Sequence, residues 1–242
     1  MLSSRAQWLG NIPALSSFCR PVVVELLGHG RSPSPEDPAA YTPQAYVVEF
    51  ERLRQSLGAD RWLVCGQSLG AALTLRYALE SPERVMAHVF TNSMSALAEP
   101  GWRKTVIPLM QAAADRLEQD GRSAIDEHPL NPRRASRLPA EVREALVEDS
   151  RLHDPRGIAL TGLHTVPDSP VRERIGTNAV PSLLVVGERE KRFREYRRFA
   201  EKQMPLVSVV GLDAGHAVNA EEADAFNREV EAFFGAVDFR AS

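Results

Sequence analysis

Trp62-Leu63-Val64-Cys65-Gly66-Gln67-Ser68-Leu69-Gly70-Ala71-Ala72-Leu73 is the stretch on which the fold turns. Trp62 to Cys65 form a short apolar run. From Leu69 to Leu79 the chain is apolar almost all round, the mark of a buried helix. Between them stands G-x-S-x-G, which in a strand–turn–helix setting lifts a serine hydroxyl above the edge of a sheet. The turn is sharp enough to strain the serine backbone, so small residues, Gly66 and Gly70, are expected where neighbouring chain must approach. The N–H of Leu69, at the helix start, then points to where an oxyanion would form.

Outward from this stretch, short apolar runs alternate with helical patterns, the sign of a mostly parallel sheet with helices on both faces. Strands are expected at 21–27, 62–66, 85–91, 182–187 and 207–212, each dense in Val, Leu or Phe rather than alternating, as for strands covered on both sides. Tyr46, Phe50, Leu53 and Leu57 mark a helix before the serine, and Phe226, Val230 and Phe233 lie on one face of a last helix at about 221–234. The stretch 95–174 breaks the rhythm. It has no strand-like run, and prolines at 129, 132, 139, 155, 167 and 170 punctuate it. Ile107, Met110, Ala114 and Leu117 share a helical face there, as do Val142 and Leu146, and Ile158 opens a further helix. The expected organisation is an α/β core of 1–94 and 175–242 carrying a helical cap insertion, 95–174.

The chain has 242 residues, 43% hydrophobic and 25% charged, which is globular composition and excludes a disordered or low-complexity reading. Twenty-nine basic residues against 32 acidic ones give a net charge of −3, so no basic field is available for nucleic acid. No apolar run approaches the ~18–20 residues of a membrane-spanning helix, and the first residues lack a signal-peptide core. The expected compartment is the cytoplasm, with Cys19 and Cys65 as buried, reduced thiols. All the basic residues except Lys104, Lys191 and Lys202 are arginine, a bias spread over the whole chain that we ascribe to codon composition.

A serine hydroxyl needs a base before it is a nucleophile. Of the six histidines, His88 lies within a strand run, His128, His153 and His164 in the inserted segment, and His29 in a turn. His216 follows the last strand in Asp213-Ala214-Gly215-His216, and residues at the carboxyl ends of parallel strands line the active crevice. The third member must be a carboxylate that orients the imidazole. Gly187-Glu188-Arg189-Glu190-Lys191 ends the preceding strand, and the order Ser…acid…His fits either Glu188 or Glu190. Asp213 is too close along the chain to His216 to orient it easily. Gly28-His29-Gly30-Arg31-Ser32 reads as a tight turn: it lacks the third glycine of a dinucleotide fingerprint. No His or Cys cluster has metal-ligand spacing, and no cofactor or metal is expected.

Together these features resemble the α/β-hydrolase superfamily over nearly the whole chain. Gly28 to Ser32 is similar to its G-H-G-x-S turn, Gly66 to Gly70 to its nucleophile elbow, and Gly215-His216 to its catalytic histidine loop. Gly187 to Phe193 is similar to a G-E-x-D-x-K-F segment of relatives of the menaquinone-pathway 2-succinyl-6-hydroxy-2,4-cyclohexadiene-1-carboxylate synthase. The resemblance implies that Glu190, in place of that aspartate, is the triad acid, although its side chain is one methylene longer. Members of the superfamily open with strands that end in an H-G motif shortly before a tryptophan like Trp8. The sequence begins just after that point, so the N-terminal strands are expected to be missing and the natural start to lie upstream. Leu2 then stands in the loop that supplies the second oxyanion donor.

The function expected is a cofactor-independent serine hydrolase acting on a small acyl compound through an acyl-enzyme on Ser68. His216 is the base, Glu190 the orienting acid, Leu69 and Leu2 the oxyanion donors, and Gln67 and Met110 the substrate contacts. Two alternatives stay open: an eliminase using the same triad, and an inactive binding protein on a hydrolase scaffold. No nucleic-acid or membrane partner is expected, and the oligomeric state is not legible.

Overall fold

The computed structural model of the chain describes residues 2–237. In chain order its principal elements are α1 (Pro43–Ser56), β1 (Trp62–Gly66), α2 (Leu69–Glu80), β2 (Val85–Thr91) and α3 (Trp102–Asp120). They continue with α4 (Ala140–Ser150), β3 (Ser182–Gly187), α5 (Arg194–Gln203), β4 (Val207–Leu212) and α6 (Ala223–Ala236). Two compact units result. One is built from Pro43–Glu99 and the chain from Ser169 onward, the other from the chain up to Thr42 and Pro100–Asp168.

The first unit holds the sheet, in the order β1-β2-β3-β4 with every neighbouring pair parallel. All four strands run over the residues expected from their apolar density. β3 is buried at every position, as a strand covered on both faces must be, and only Met86 of β2 is not fully buried. α2 packs on β1 and β2, α5 on β4, and α6 on β3 and β4. The core joins Ala71, Ala72 and Leu75 of α2 to Phe90 of β2 and Leu184 and Val186 of β3, with Phe193 and Ala200 from the other side of the chain order. His88 is indeed a core residue: it stacks on Phe90, shares a hydrogen with Thr74 Oγ1 at 3.0 Å, and burial lowers its pKa to about 3.

The fifth expected strand, 21–27, does not form. The segment belongs to no ladder, and Val22 and Val24 are 43% and 45% exposed. A strand exists through its hydrogen-bonded neighbours. Among the described residues β1 has one partner, β2.

The second unit is helical, and 95–174 contains no strand. Besides α3 and α4 it has short helices at Arg122–Glu127 and Pro155–Leu160. Val142, Leu146 and Ile158 are buried as their spacing requires, and on α3 Ala114 and Leu117 are buried and Met110 half-buried on the expected face, while Ile107 is exposed and its neighbour Val106 is buried instead. Gly28 and Gly30 take left-handed conformations (φ +73° and +53°) in a tight turn closed by a Gly28 N–H to Pro33 O bond of 2.9 Å. Beside it His29 and His153 meet edge to face at 5.4 Å, and Gly30 N–H donates to His153 Nδ1 at 2.9 Å. Both cysteines are free and only half-buried. No described helix is long and apolar enough to cross a membrane.

Candidate active site

The sheet edge at the carboxyl ends of β1, β3 and β4 assembles the site. Ser68 ends the turn after β1 and caps α2 at φ 54°, ψ −117°, a left-handed backbone that a residue with a Cβ adopts only under strain. A Cβ on Gly66 would lie 2.6 Å from Gly70 O and 2.7 Å from Ala71 Cα, so glycine there is what lets the turn close. The same reasoning does not extend to Gly70: a Cβ there would meet no atom within 4 Å.

Ser68 Oγ–H donates to His216 Nε2 at 2.8 Å. The other ring nitrogen, Nδ1, stands 3.1 Å and 3.0 Å from the two oxygens of Glu190. The proton is assigned to Nδ1 because a carboxylate can only accept from it. Glu190 is mostly buried, with its side chain 16% exposed. Burial pushes its pKa up, but the hydrogen bonds from His216 and Asn92 and the charge of Arg192 outweigh it, holding the carboxyl below the usual value. The structure thus brings Ser68, His216 and Glu190 into one hydrogen-bonded line.

Glu188 stands apart from that line. Its N–H prolongs the β3–β4 pairing by donating to Leu212 O at 2.9 Å, and its carboxylate pairs with Arg197. Asp213 is held by Arg189 through two bonds of 2.7 Å and 2.6 Å. Gln67 donates from Nε2 to His216 O at 3.1 Å, tying the elbow to the histidine loop. Leu69 is buried, and as the first residue of α2 its N–H has no intrahelical acceptor. Leu2 and Met110 belong to the helical unit. Leu2 is buried there against Leu117, Ile125 and Ile158 at φ 53°, and Met110 is half-buried on α3.

Two further residues shape this site. Glu221 accepts the N–H groups on either side of His216, from Gly215 at 2.7 Å and from Ala217 at 3.3 Å. Asn92, immediately after β2, donates from Nδ2 to Glu190 Oε2 at 2.6 Å. The signal for Asn92 is present in the sequence: it is the first polar residue past the end of an expected strand, on the edge where the other site residues lie. Among the described residues no group of three or more His, Cys, Asp and Glu side chains could hold a metal ion.

This line of groups can withdraw a proton from a serine that a strained turn projects from the sheet, which is the working part of an α/β hydrolase. The chain belongs to the alpha/beta hydrolase family, whose model matches residues 3–229. It is 26% identical over 224 residues to a Bacillus subtilis (strain 168) protein provisionally named 2-succinyl-6-hydroxy-2,4-cyclohexadiene-1-carboxylate synthase. That match covers 90% of this chain and 82% of the relative. Among solved structures, MenH from S. aureus superposes with a TM-score of 0.85 at 18% identity, covering 97% of this chain and 90% of that one. A thermophilic esterase from Thermogutta terrifontis gives 0.82 at 21% identity, covering 97% and 86%. At these identities the structural likeness speaks for the fold.

Proposed function

We propose that the chain is a cofactor-independent serine hydrolase that cleaves an ester, thioester or related acyl bond of a small molecule in the cytoplasm. The observation that carries this reading is the hydrogen-bonded line Ser68–His216–Glu190. As a substrate carbonyl approaches, His216 Nε2 takes the hydroxyl proton and Ser68 Oγ bonds to the acyl carbon. Glu190 remains ionised and stabilises the imidazolium. Collapse of the tetrahedral intermediate expels the alcohol or thiol, which leaves with the proton from His216. Water then attacks the acyl-Ser68 with His216 again as base, releasing the acid and restoring the hydroxyl. The Leu69 N–H, at the positive end of α2, is one oxyanion donor, and the strained Leu2 backbone is the second in this reading. Gln67 and Met110 contact the substrate, and 95–174 acts as the cap that selects it.

The test is covalent labelling by a fluorophosphonate together with turnover of a panel of acyl esters and thioesters of graded length. Ser68→Ala is expected to abolish both, and labelling of the alanine variant at the wild-type rate would overturn the mechanism. A second reading is favoured by the Bacillus subtilis relative, whose name denotes a synthase and whose match spans 90% of this chain. In it Ser68 and His216 remove a carbon-bound proton and drive elimination. Labelling of Ser68 with no turnover of any ester or thioester in the panel would favour that reading over hydrolysis.

A further inference from the structure

We propose that Asn92 is a positioning residue for the triad: its side-chain amide fixes the Glu190 carboxylate behind His216. This rests on the hydrolase reading and deepens it. Asn92 is fully buried and directly follows the last paired residue of β2, Thr91, which lies opposite Val185 of β3. Its side chain carries the pairing one step further. Oδ1 accepts the Gly187 N–H at 3.0 Å, and Nδ2 donates to Gly187 O at 3.3 Å and to Glu190 Oε2 at 2.6 Å. Those partners fix the amide's orientation, because the Gly187 N–H can only face an oxygen and the ionised carboxylate can only face a donor.

Glutamate needs such an anchor. It has one more rotatable bond than aspartate, and its carboxylate is attracted to Arg192 as well as to His216. With Nδ2 of Asn92 on Oε2, the carboxylate is held from behind while both oxygens face the imidazole. The donor also favours the ionised form, which the imidazolium requires. Asn92 touches no reacting atom: it acts through Glu190.

Asn92→Asp keeps the shape and an acceptor for the Gly187 N–H, but replaces the donor with a second negative charge. It is expected to lower kcat on the best ester of the panel at least tenfold with KM within about twofold. The extra charge should also move the acid limb of the kcat/KM profile to higher pH by favouring protonated His216. Asn92→Ala should lower kcat with the same unchanged KM. The wild-type protein supplies an independent readout: by NMR, the Asn92 side-chain proton on Glu190 should resonate downfield and move upfield in Glu190→Gln. Either variant retaining wild-type kcat and labelling rate, or an amide proton indifferent to Glu190→Gln, overturns the proposal. If instead wild-type Ser68 is unreactive toward the fluorophosphonate, the hydrolase reading fails. The amide resonance then still decides whether Asn92 holds Glu190.

Discussion

Gly187 closes β3 where the histidine loop crosses it, and Gly187→Ala tests how tightly that crossing sets the chemistry. A Cβ at this position would overlap Gly215 O and stand 2.8 Å from Gly215 C and 2.9 Å from Ala214 O. Carbon atoms settle at separations of about 3.5 Å or more, so the loop must retreat by ~0.7 Å at the carbonyl carbon. Because Gly215 directly precedes His216, the retreat is passed to a ring whose Nε2 must stay within 2.8 Å of Ser68 Oγ. A misplacement on the order of 1 Å costs roughly 10²-fold in rate. The rate of Ser68 labelling by a fluorophosphonate is therefore expected to fall by about that factor, with a lower melting temperature from the displaced loop. Gly70→Ala is the contrast. It meets open space within a helix, so it should stabilise by up to ~1 kcal/mol, or about 2–4 °C in Tm for a chain of this size. Gly187→Ala with wild-type labelling and an unchanged Tm would refute the reasoning, for it would mean that the loop is not seated on β3.

Ser68→Gly should abolish labelling yet raise Tm by ~2–4 °C, because glycine tolerates the φ 54° backbone that strains serine. Ser68→Ala keeps the strain and should show no such gain. Glu190→Gln should lower turnover by roughly 10³- to 10⁴-fold, since an amide orients the imidazole but does not stabilise its cation. Glu188→Gln, altering an exposed pair with Arg197, should leave turnover within about twofold, and the reverse ranking would move the acid to Glu188. Burial holds His29, His88 and His153 neutral, with pKa values lowered to about 3, 3 and 4. The unfolded imidazoles take up protons below about pH 6.5 while the folded ones do not, so stability is full above that pH and declines as pH falls toward ~3–4. Each histidine forfeits about 2 kcal/mol by pH 5, and equal denaturant midpoints at pH 7.5 and pH 5 would refute this.

The sheet is legible in the sequence because interior parallel strands show themselves as apolar runs, and those of β1 to β4 end where the structure ends them. The same criterion misleads at 21–27. Apolar density says that a segment would suit a sheet, and nothing about whether a partner lies beside it. Helical spacing finds α3 and most of its buried face, but not which of two adjacent apolar residues opens that face: Val106 is buried and Ile107 exposed. Ser68 and His216 are legible from motif and position. Glu188 and Glu190 have equal standing by spacing, and the backbone separates them: Glu188 still continues the β3 ladder, whereas Glu190 N–H turns back to Gly187 O at 3.1 Å. Gly70 is conspicuous in the motif, yet no neighbour demands it. Asn92 and Glu221 act on other site residues rather than forming a motif of their own, so only the folded geometry reveals their partners.

The strand order explains why these supporting residues stand where they do. Parallel strands lie about 4.8 Å apart, so in the order β1-β2-β3-β4 the serine strand and the histidine strand are separated by ~14 Å. An imidazole cannot bridge that span from the end of β4, and the loop carrying His216 must run back over β3. That path requires a strand end with no side chain, which is Gly187, and a loop held by its own backbone, which is the work of Glu221 on Gly215 and Ala217. The acid rises from the turn beyond Gly187 and must lean inward to meet the ring. The residue that follows β2 is the one placed between the serine and acid strands, and a short side chain there that both accepts and donates can seal β3 and hold the carboxylate at once. Asparagine meets that requirement with three hydrogen bonds. Aspartate has no donor for Glu190 and leucine has no polar atom at all, so the topology sets the chemistry of position 92 as firmly as it sets the place of Ser68.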